Sequence, residues 1–294
     1  MVFKKMEIPK HSKTHLPVMK PFIIRGISHK TTTQWLSGFS PWIIVILIIP
    51  IFAWPIFANA GGNFTTKTAF EALWKWVPFL FLGGFLFNIL ISLFAMLFGT
   101  IAGAILGLGQ ISQLFLIRKL CWFLTQLFRN SPWLVILFIV LLALPFEIII
   151  FGYIISIPDW MKAVFGLSLP VMANISEIVR GAVVSVPKGQ WEASESLAFS
   201  RQQTLWRIIL PQCFKRMIPP WMNWYAILTM ATPLCSLLGV EEIITLSRQA
   251  MEAENNHPEL LVPFYSFALA LFFIYCYPIA KYTVYLEKKF NVKF

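Results

Sequence analysis

The stretch "VPFLFLGGFLFNILISLFAMLFGTIAGAILGLG", Val77 to Gly109, carries no charged residue over its whole length. A helix needs roughly 20 consecutive apolar residues to cross a hydrocarbon core, and this run exceeds that by a wide margin. It is continuous and lacks the short alternating segments of a barrel. The backbone must therefore satisfy its own N–H and C=O groups within a helix. The run is long enough to tilt or to continue beyond the bilayer. Gly99, Gly103 and Gly107 recur four apart and form one smooth stripe, the pattern that lets another helix approach closely. The stripe reads as packing, with no pore or filter implied.

Working outward, further apolar runs follow the same rule. The stretch 41–58, "PWIIVILIIPIFAWPIFA", is a short first span that Pro50 and Pro55 kink or fray, with Trp42 and Trp54 as interfacial anchors. Val77–Gly109 is the second span. The third is expected over Pro132–Ile150, the fourth over Leu167–Val184, the fifth over Pro219–Val240 and the sixth over Val262–Tyr282. Of the 294 residues 58% are hydrophobic and 13% charged, against roughly 25% charged in soluble domains. The fold class is an all-α polytopic membrane protein with about six transmembrane helices.

Charge fixes the expected orientation. The tail 1–40 has seven Lys/Arg against Glu7 alone, and no prompt apolar stretch follows it as in a signal peptide. Segment 111–131 holds Arg118, Lys119 and Arg129 without an acid. Segment 185–218 holds Lys188, Arg201, Arg207, Lys215 and Arg216 against Glu192 and Glu195. The end 285–294 adds Lys288, Lys289 and Lys293 against Glu287, whereas 241–261 carries five Glu against Arg248. The positive-inside rule places the basic segments and both termini in the cytoplasm. The net charge of +11 is thus read as cytoplasmic loops facing a lipid bilayer, not as a nucleic-acid surface. Cys121, Cys213, Cys235 and Cys276 are too dispersed for a disulfide framework or zinc site. His11 and His15 have no third ligand nearby. No Ser-His-Asp, Cys-His or paired-carboxylate arrangement calls for an enzyme.

Two acids fall in or near the apolar runs, Glu147 and Glu177. A charge at mid-bilayer is costly and takes a partner or a cavity. Glu177 lies three residues before Arg180, on one helix face, as an ion pair at the cytoplasmic end of the fourth helix or as part of a solute pathway. Asn174 shares that face. Glu147 is read near the outer end of the third span, and Asn88 as a helix-bridging or pathway residue. Asn174, Glu177, Arg180, Asn88 and Glu147 are the pathway candidates.

Between the fourth and fifth spans lies "WEASESLAFSRQQTLWRIILPQ", Trp191 to Gln212. Val186-Pro187-Lys188-Gly189 breaks the preceding helix, "QWEASESL" reads as a short helix, and Ser200 is an N-cap for a second over Arg201–Leu210, limited by Pro211. Leu205, Ile208 and Ile209 form an apolar side opposite Arg201 and Arg207. Such a helix lies on the membrane surface or docks into a partner's groove.

"EASESLAFSRQQTLWRIILP" resembles the EAA loop of bacterial ABC-importer permeases, with Glu192, Ala193, Ile208 or Ile209, Leu210 and Pro211 fitting E-A-A, three residues, G, nine residues, I, one residue, L-P. "ISEIVRGAVVSVPKGQWEA", "FRNSPWLVILF", "FNILISLFAMLFGTIAGAILGL" and "LGVEEI" resemble the polar amino acid (histidine/glutamine/arginine-type) branch, in the family's order over about 85–248. The resemblance implies a type I importer permease core of five helices over 77–284 plus one extra N-terminal helix. It implies that loop 185–218 is a coupling helix seated on a cytoplasmic ATPase dimer, with Glu192, Ala193, Ser194, Leu197, Ala198, Ser200, Leu210 and Pro211 as coupling residues. It further implies a second permease subunit, identical or homologous, an extracytoplasmic solute-binding protein, and a bacterial inner-membrane location. This chain has no G-x-x-x-x-G-K-[ST]; no cofactor is expected on it, and ATP and Mg2+ belong to the partner subunits.

The sequence departs from the family at Ser194 and at Ala198, where the family has glycine; if that turn needs a left-handed residue, alanine costs about 1 kcal/mol. "MATPL", Met230 to Leu234, replaces a K-D-T-S-L stretch, and Asn174 replaces a tyrosine. A secondary transporter or channel, and a non-transporting scaffold or pseudo-permease, remain the alternatives. The first requires ion-coupling groups at mid-bilayer, where the sequence offers few acids. The second is disfavoured if replacing Glu192 abolishes transport without loss of assembly.

Overall fold

The computed structural model describes residues 66–150 and 153–290; the tail 1–40 and the run 41–58 lie outside them. The charge-free stretch becomes one unbroken helical rod. It comprises α1 (Thr66–Phe79), a π-helical turn (Leu80–Phe85) and α2 (Leu86–Gln110). At 1.5 Å per residue it is roughly 65 Å long, about twice a hydrocarbon core. A rod of that length exceeds what a bilayer core needs.

α3 (Phe115–Arg129) and α4 (Trp133–Ala143) follow, bent 105° apart. α4 is shorter than the expected third span. Leu144 precedes Pro145, and the pre-proline clash holds it extended at ψ 133°. The isoleucine-rich residues beyond form a hairpin, β1 (Glu147–Ile150) with β2 (Tyr153–Ser156), antiparallel with Glu147 opposite Ser156. The expected helix over Pro132–Ile150 is thus corrected to a short helix followed by a strand.

α5 (Asp159–Val184) begins earlier than expected. α6 (Lys188–Ser196) and α7 (Arg201–Thr204) make the loop after it. α7 runs through a π turn (Leu205–Ile209) into α8 (Leu210–Ala231), followed by a 3-10 turn (Thr232–Leu238). α9 (Ile243–Ala253) and α10 (Leu261–Phe290) complete the chain. α10 passes the expected end at Tyr282, and Lys288 and Lys289 in its last turn suit the negative end of the helix dipole. Among the described residues three helices are long and apolar enough to span (Thr68–Gln110, Asp159–Val184, Pro258–Phe290), or up to five if each of two bent pairs is one span.

The core is built on α2 against α5. A Cβ on Gly99, Gly103 or Gly107 would meet Val171, Ile175 or Val179 at 2.5–2.8 Å, so only glycine permits this approach. One polar triangle ties the ends of α2, α3 and α5. Gln110 Nε2 donates to Thr125 Oγ1 (2.9 Å) and Ser176 Oγ (3.1 Å), and the two hydroxyls bond each other at 2.9 Å. α8 joins through the Trp221 indole donating to Thr100 Oγ1, and α8 joins α10 through the Tyr225–Tyr275 hydroxyl pair at 2.7 Å. Segment 241–261, noted above for its acidic charge, packs into the bundle. Ile243, Leu246, Ala250 and Met251 of α9 are buried, and Leu246, Ala250 and Met251 pack with Ala69 and Leu73 of α1 and with Phe264.

Candidate functional site

The loop between α5 and α8 is assembled from local signals. Val186-Pro187 ends α5, and Pro187 in extended geometry starts α6. α6 closes in a Schellman turn: the Ala198 amide donates to the Glu195 carbonyl (2.9 Å) and the Phe199 amide to the Ser194 carbonyl (3.1 Å). Ala198 sits at φ +56°, the left-handed conformation that favours glycine. Ser200 then caps α7 with a full capping box. Its hydroxyl accepts from the Gln203 amide, and the Gln203 side chain accepts from the Ser200 amide.

Pro211 does not stop this helix. The Leu210 amide bonds the carbonyl of Leu205, five residues back. The widened turn relieves the clash that a proline ring makes with the carbonyl four residues before it. α7 and α8 therefore act as one lever from the loop into the bundle.

The apolar stripe expected to seek a membrane or a partner is occupied by the chain itself. Ile209 is fully buried, and Leu205 and Ile208 pack with it against Ala182, Val183, Val186, Cys213 and Trp191. Arg216 Nη1 donates to the Ser185 hydroxyl (2.9 Å) and carbonyl (3.3 Å). The Cys213 thiol donates to the Ala182 carbonyl at 3.3 Å. The Arg201 guanidinium lies 5.5 Å over the Trp191 ring. These contacts weld the loop to the end of α5.

Outward, the loop exposes Glu192, Ala193, Leu197, Ala198, Ser200 and Pro211; Leu197 is 72% exposed. Ser194 faces inward and bonds the Gln190 carbonyl, and Leu210 is half-buried. Trp206 and Phe214, absent from the expected coupling residues, are 56% and 64% exposed on the same lever. Their positions off the Leu205–Ile208–Ile209 stripe were the available signal.

The five pathway candidates do not converge. Glu177 bonds Arg180 (Oε2 to Nη2, 2.7 Å) and lies 3.7 Å from Arg129, so it is an ion cluster. Its other oxygen, Oε1, is buried without a hydrogen-bond partner. Asn174 is buried and donates to the Pro170 carbonyl of its own helix. Glu147 is exposed on β1, outside the candidate spans among the described residues. Asn88 is fully buried, 22 residues along the rod from Gln110 and so roughly 33 Å away; Gln110 in turn bonds Ser176, the neighbour of Glu177.

Around Asn88 the structure reveals an acid the sequence reading left in the outer loop. Glu242 is fully buried as the N-cap of α9, its Oε1 accepting the amides of Ile244 and Thr245 at 3.0 Å each. Asn88 Nδ2 donates to Glu242 Oε2 (3.0 Å) and Thr232 Oγ1 (2.9 Å), while Asn88 Oδ1 accepts the Ile243 amide at 3.1 Å. Every polar atom of Asn88 thus joins α2 to the start of α9. Thr232 within "MATPL" is a member of this network.

Among the described residues no group of three His, Cys, Asp or Glu side chains is placed to hold a metal. The arrangement is an exposed loop supported from beneath by the Ile209 cluster, on a bundle of apolar helices.

Comparison with known proteins identifies the family. Residues 95–282 match the family described as binding-protein-dependent transport system inner membrane component. The L-cystine transport system permease protein TcyB of Bacillus subtilis is 31% identical over 71% of this chain and 86% of its own length. The probable amino-acid ABC transporter permease protein YckA of the same organism is 33% identical over 77% and 94%. An amino acid ABC transporter crystallised with histidines superposes with a TM-score of 0.64 at 22% identity, covering 75% of this chain and 98% of that one. An inward-facing MetNI methionine ABC transporter superposes at 0.55 and 14% identity, covering 74% and 98%. The two structures establish a shared fold.

Proposed function

The chain belongs to the binding-protein-dependent transport system inner membrane component family, and from that premise we propose that it passes an amino acid or similar small polar solute through a bundle worked by loop 185–218. It is a transmembrane permease subunit of an ABC importer. The solute class is supported by the names of the relatives, which include cystine, glutamate and glutamine permeases.

The observation that carries the mechanism is the continuity of loop and span. α6 packs through Trp191 on the Ile209–Val186–Cys213 cluster at the end of α5, and α7 runs without a break into α8. A push on the exposed face of α6 is thereby delivered to two helices of the bundle at once. A cytoplasmic ATPase dimer, closing on ATP, supplies that push and biases the bundle between two packings. Glu192, Ala193, Leu197 and Ala198 form the contact face. Ser194 and Ser200 shape it, and Leu210 and Pro211 transmit it. A second permease subunit and an extracytoplasmic solute-binding protein complete the assembly. Both termini lie in the bacterial cytoplasm, on the loop-charge argument. Asn174, Glu177 and Arg180 remain the residues proposed to border the solute's exit.

The test is co-purification of the ATPase in mild detergent with transport assayed after reconstitution. Glu192→Lys reverses the charge of an exposed residue and leaves the welded core untouched. It should release the ATPase and abolish solute uptake while the permease stays folded; retained ATPase and uptake would refute the coupling role.

A further inference from the structure

On the side assigned to the cytoplasm, α3 lies bent 105° from α4 and exposes an apolar stripe of Leu116, Leu120, Phe123 and Leu127 at helical spacing. Its charged residues, Arg118, Lys119 and Arg129, are all basic. This is the composition of a helix lying in the plane of the membrane interface. Between α3 and the ends of α2 and α5 is an open cavity of about 350 Å3, lined by Gln110, Phe115, Arg118, Lys119, Trp122 and Arg180. Three cations line it and no acid does. Lys119 Nζ and the Arg118 guanidinium lie 5.3 and 6.0 Å from the Phe115 ring centre. Arg118 also donates to the Ser112 carbonyl, and Arg180 pairs with Glu177. With Arg129 included, four cations face one carboxylate.

Gln110 supplies an independent observation. It is 5% exposed, its amide nitrogen is committed to Thr125 and Ser176, and its Oε1 is buried without a hydrogen-bond partner. Buried acceptors are normally satisfied, so this one marks a place for a donor.

We propose that this cavity binds the headgroup of an anionic phospholipid of the inner leaflet. Arg118, Lys119 and Arg180 hold the phosphodiester, and a headgroup hydroxyl donates to Gln110 Oε1. The acyl chains follow the adjacent Leu116–Leu120–Phe123 stripe. Basic pockets between helices on the cytoplasmic side suit this chemistry, each Lys or Arg near the surface contributing about a fivefold preference. The choice of leaflet rests on the orientation proposed above; the binding chemistry does not.

The experiment is native mass spectrometry of the permease complex, titrated with phosphatidylglycerol or phosphatidylcholine. Phosphatidylglycerol should be retained and phosphatidylcholine lost. R118Q/K119Q should weaken retention roughly 25-fold and K119Q alone roughly fivefold, whereas K288Q, an exposed charge elsewhere on the same face, should leave it within about twofold. K119Q changes a single exposed side chain and keeps the test readable if the double variant fails to fold. Equal retention of both lipids would overturn the proposal. So would an equal loss in K288Q, which marks diffuse surface attraction, and displacement by millimolar inorganic phosphate, which marks a free-anion site. Retention is read on the permease chain itself, so a missing ATPase would count against the coupling reading and leave the lipid result standing.

Discussion

The amide of Phe199 donates to the carbonyl of Ser194 at 3.1 Å, and the bond spans an Ala198 held at φ +56°. The turn at the tip of loop 185–218 is therefore left-handed and occupied by a residue that resists it. Ala198→Gly removes the Cβ conflict at the cost of a more flexible unfolded chain, for a net gain of about 0.5–1 kcal/mol. Hydrogen exchange at the Phe199 amide should slow several-fold in the variant. Faster exchange would mean that the alanine is unstrained.

Gly103 approaches α5 so closely that a Cβ would stand 2.7 Å from both the Met172 carbonyl oxygen and the Ile175 Cβ. A backbone carbonyl on a packed helix cannot step aside. Gly103→Ala should cost about 2–3 kcal/mol by overpacking. Gly181→Ala, where nothing lies within 4 Å, should be neutral or slightly stabilising. Thermal unfolding in detergent separates the two; equal melting temperatures would show that the stripe does not limit packing.

Asn88 satisfies both the Glu242 carboxylate and the Ile243 amide. Asn88→Leu leaves these groups buried and short of partners, a loss of roughly 2–3 kcal/mol. Glu242→Gln placed on top of it should cost less than it does alone, because the two residues form one network. Strict additivity, read from melting temperatures of the four proteins, would show that they act separately.

How much of this was legible depends on the range of the forces involved. The Val77–Gly109 rod, its glycine stripe, the Glu177–Arg180 pair and the Ser200 cap are set by neighbours within a turn or two, and the sequence displays them. The left-handed Ala198 was legible only as a departure from a family pattern. The hairpin at 147–156 was missed because isoleucine runs read equally as span, and the pre-proline break at Leu144 was not weighed against them. Glu242 was counted only among the five acids of segment 241–261, because the Asn88 side chain that holds it lies 154 residues away in sequence. Glutamate is also a less usual N-cap than Asp, Asn, Ser or Thr. The apolar stripe of Leu205, Ile208 and Ile209 was seen, but its partner was this chain's own α5, which a local pattern cannot name.

Outside the spans, Glu254 ties the end of α9 to α1. Its Oε1 accepts from Lys75 Nζ at 2.8 Å and from the Trp76 indole at 2.9 Å. The hydrogen bond from Lys75, then that from Trp76, holds the carboxyl below its ordinary value of 4.5. A lowered value in the folded state means that the unfolded chain binds its proton first as the medium is acidified. The tie therefore contributes its full stability above about pH 4.5, and loses it as pH falls through the lower folded value. Lys75 is 69% exposed, so salt screens the pair and the effect is small. The expected result is a modest melting-temperature deficit of Glu254→Gln at pH 7 that fades as the pH falls below 4.5 and through the lower folded-state value, with hydrogen exchange in Thr66–Phe79 following the same course. A deficit unchanged down to pH 3 would show that α1 is held by the Leu73–Phe264 packing alone.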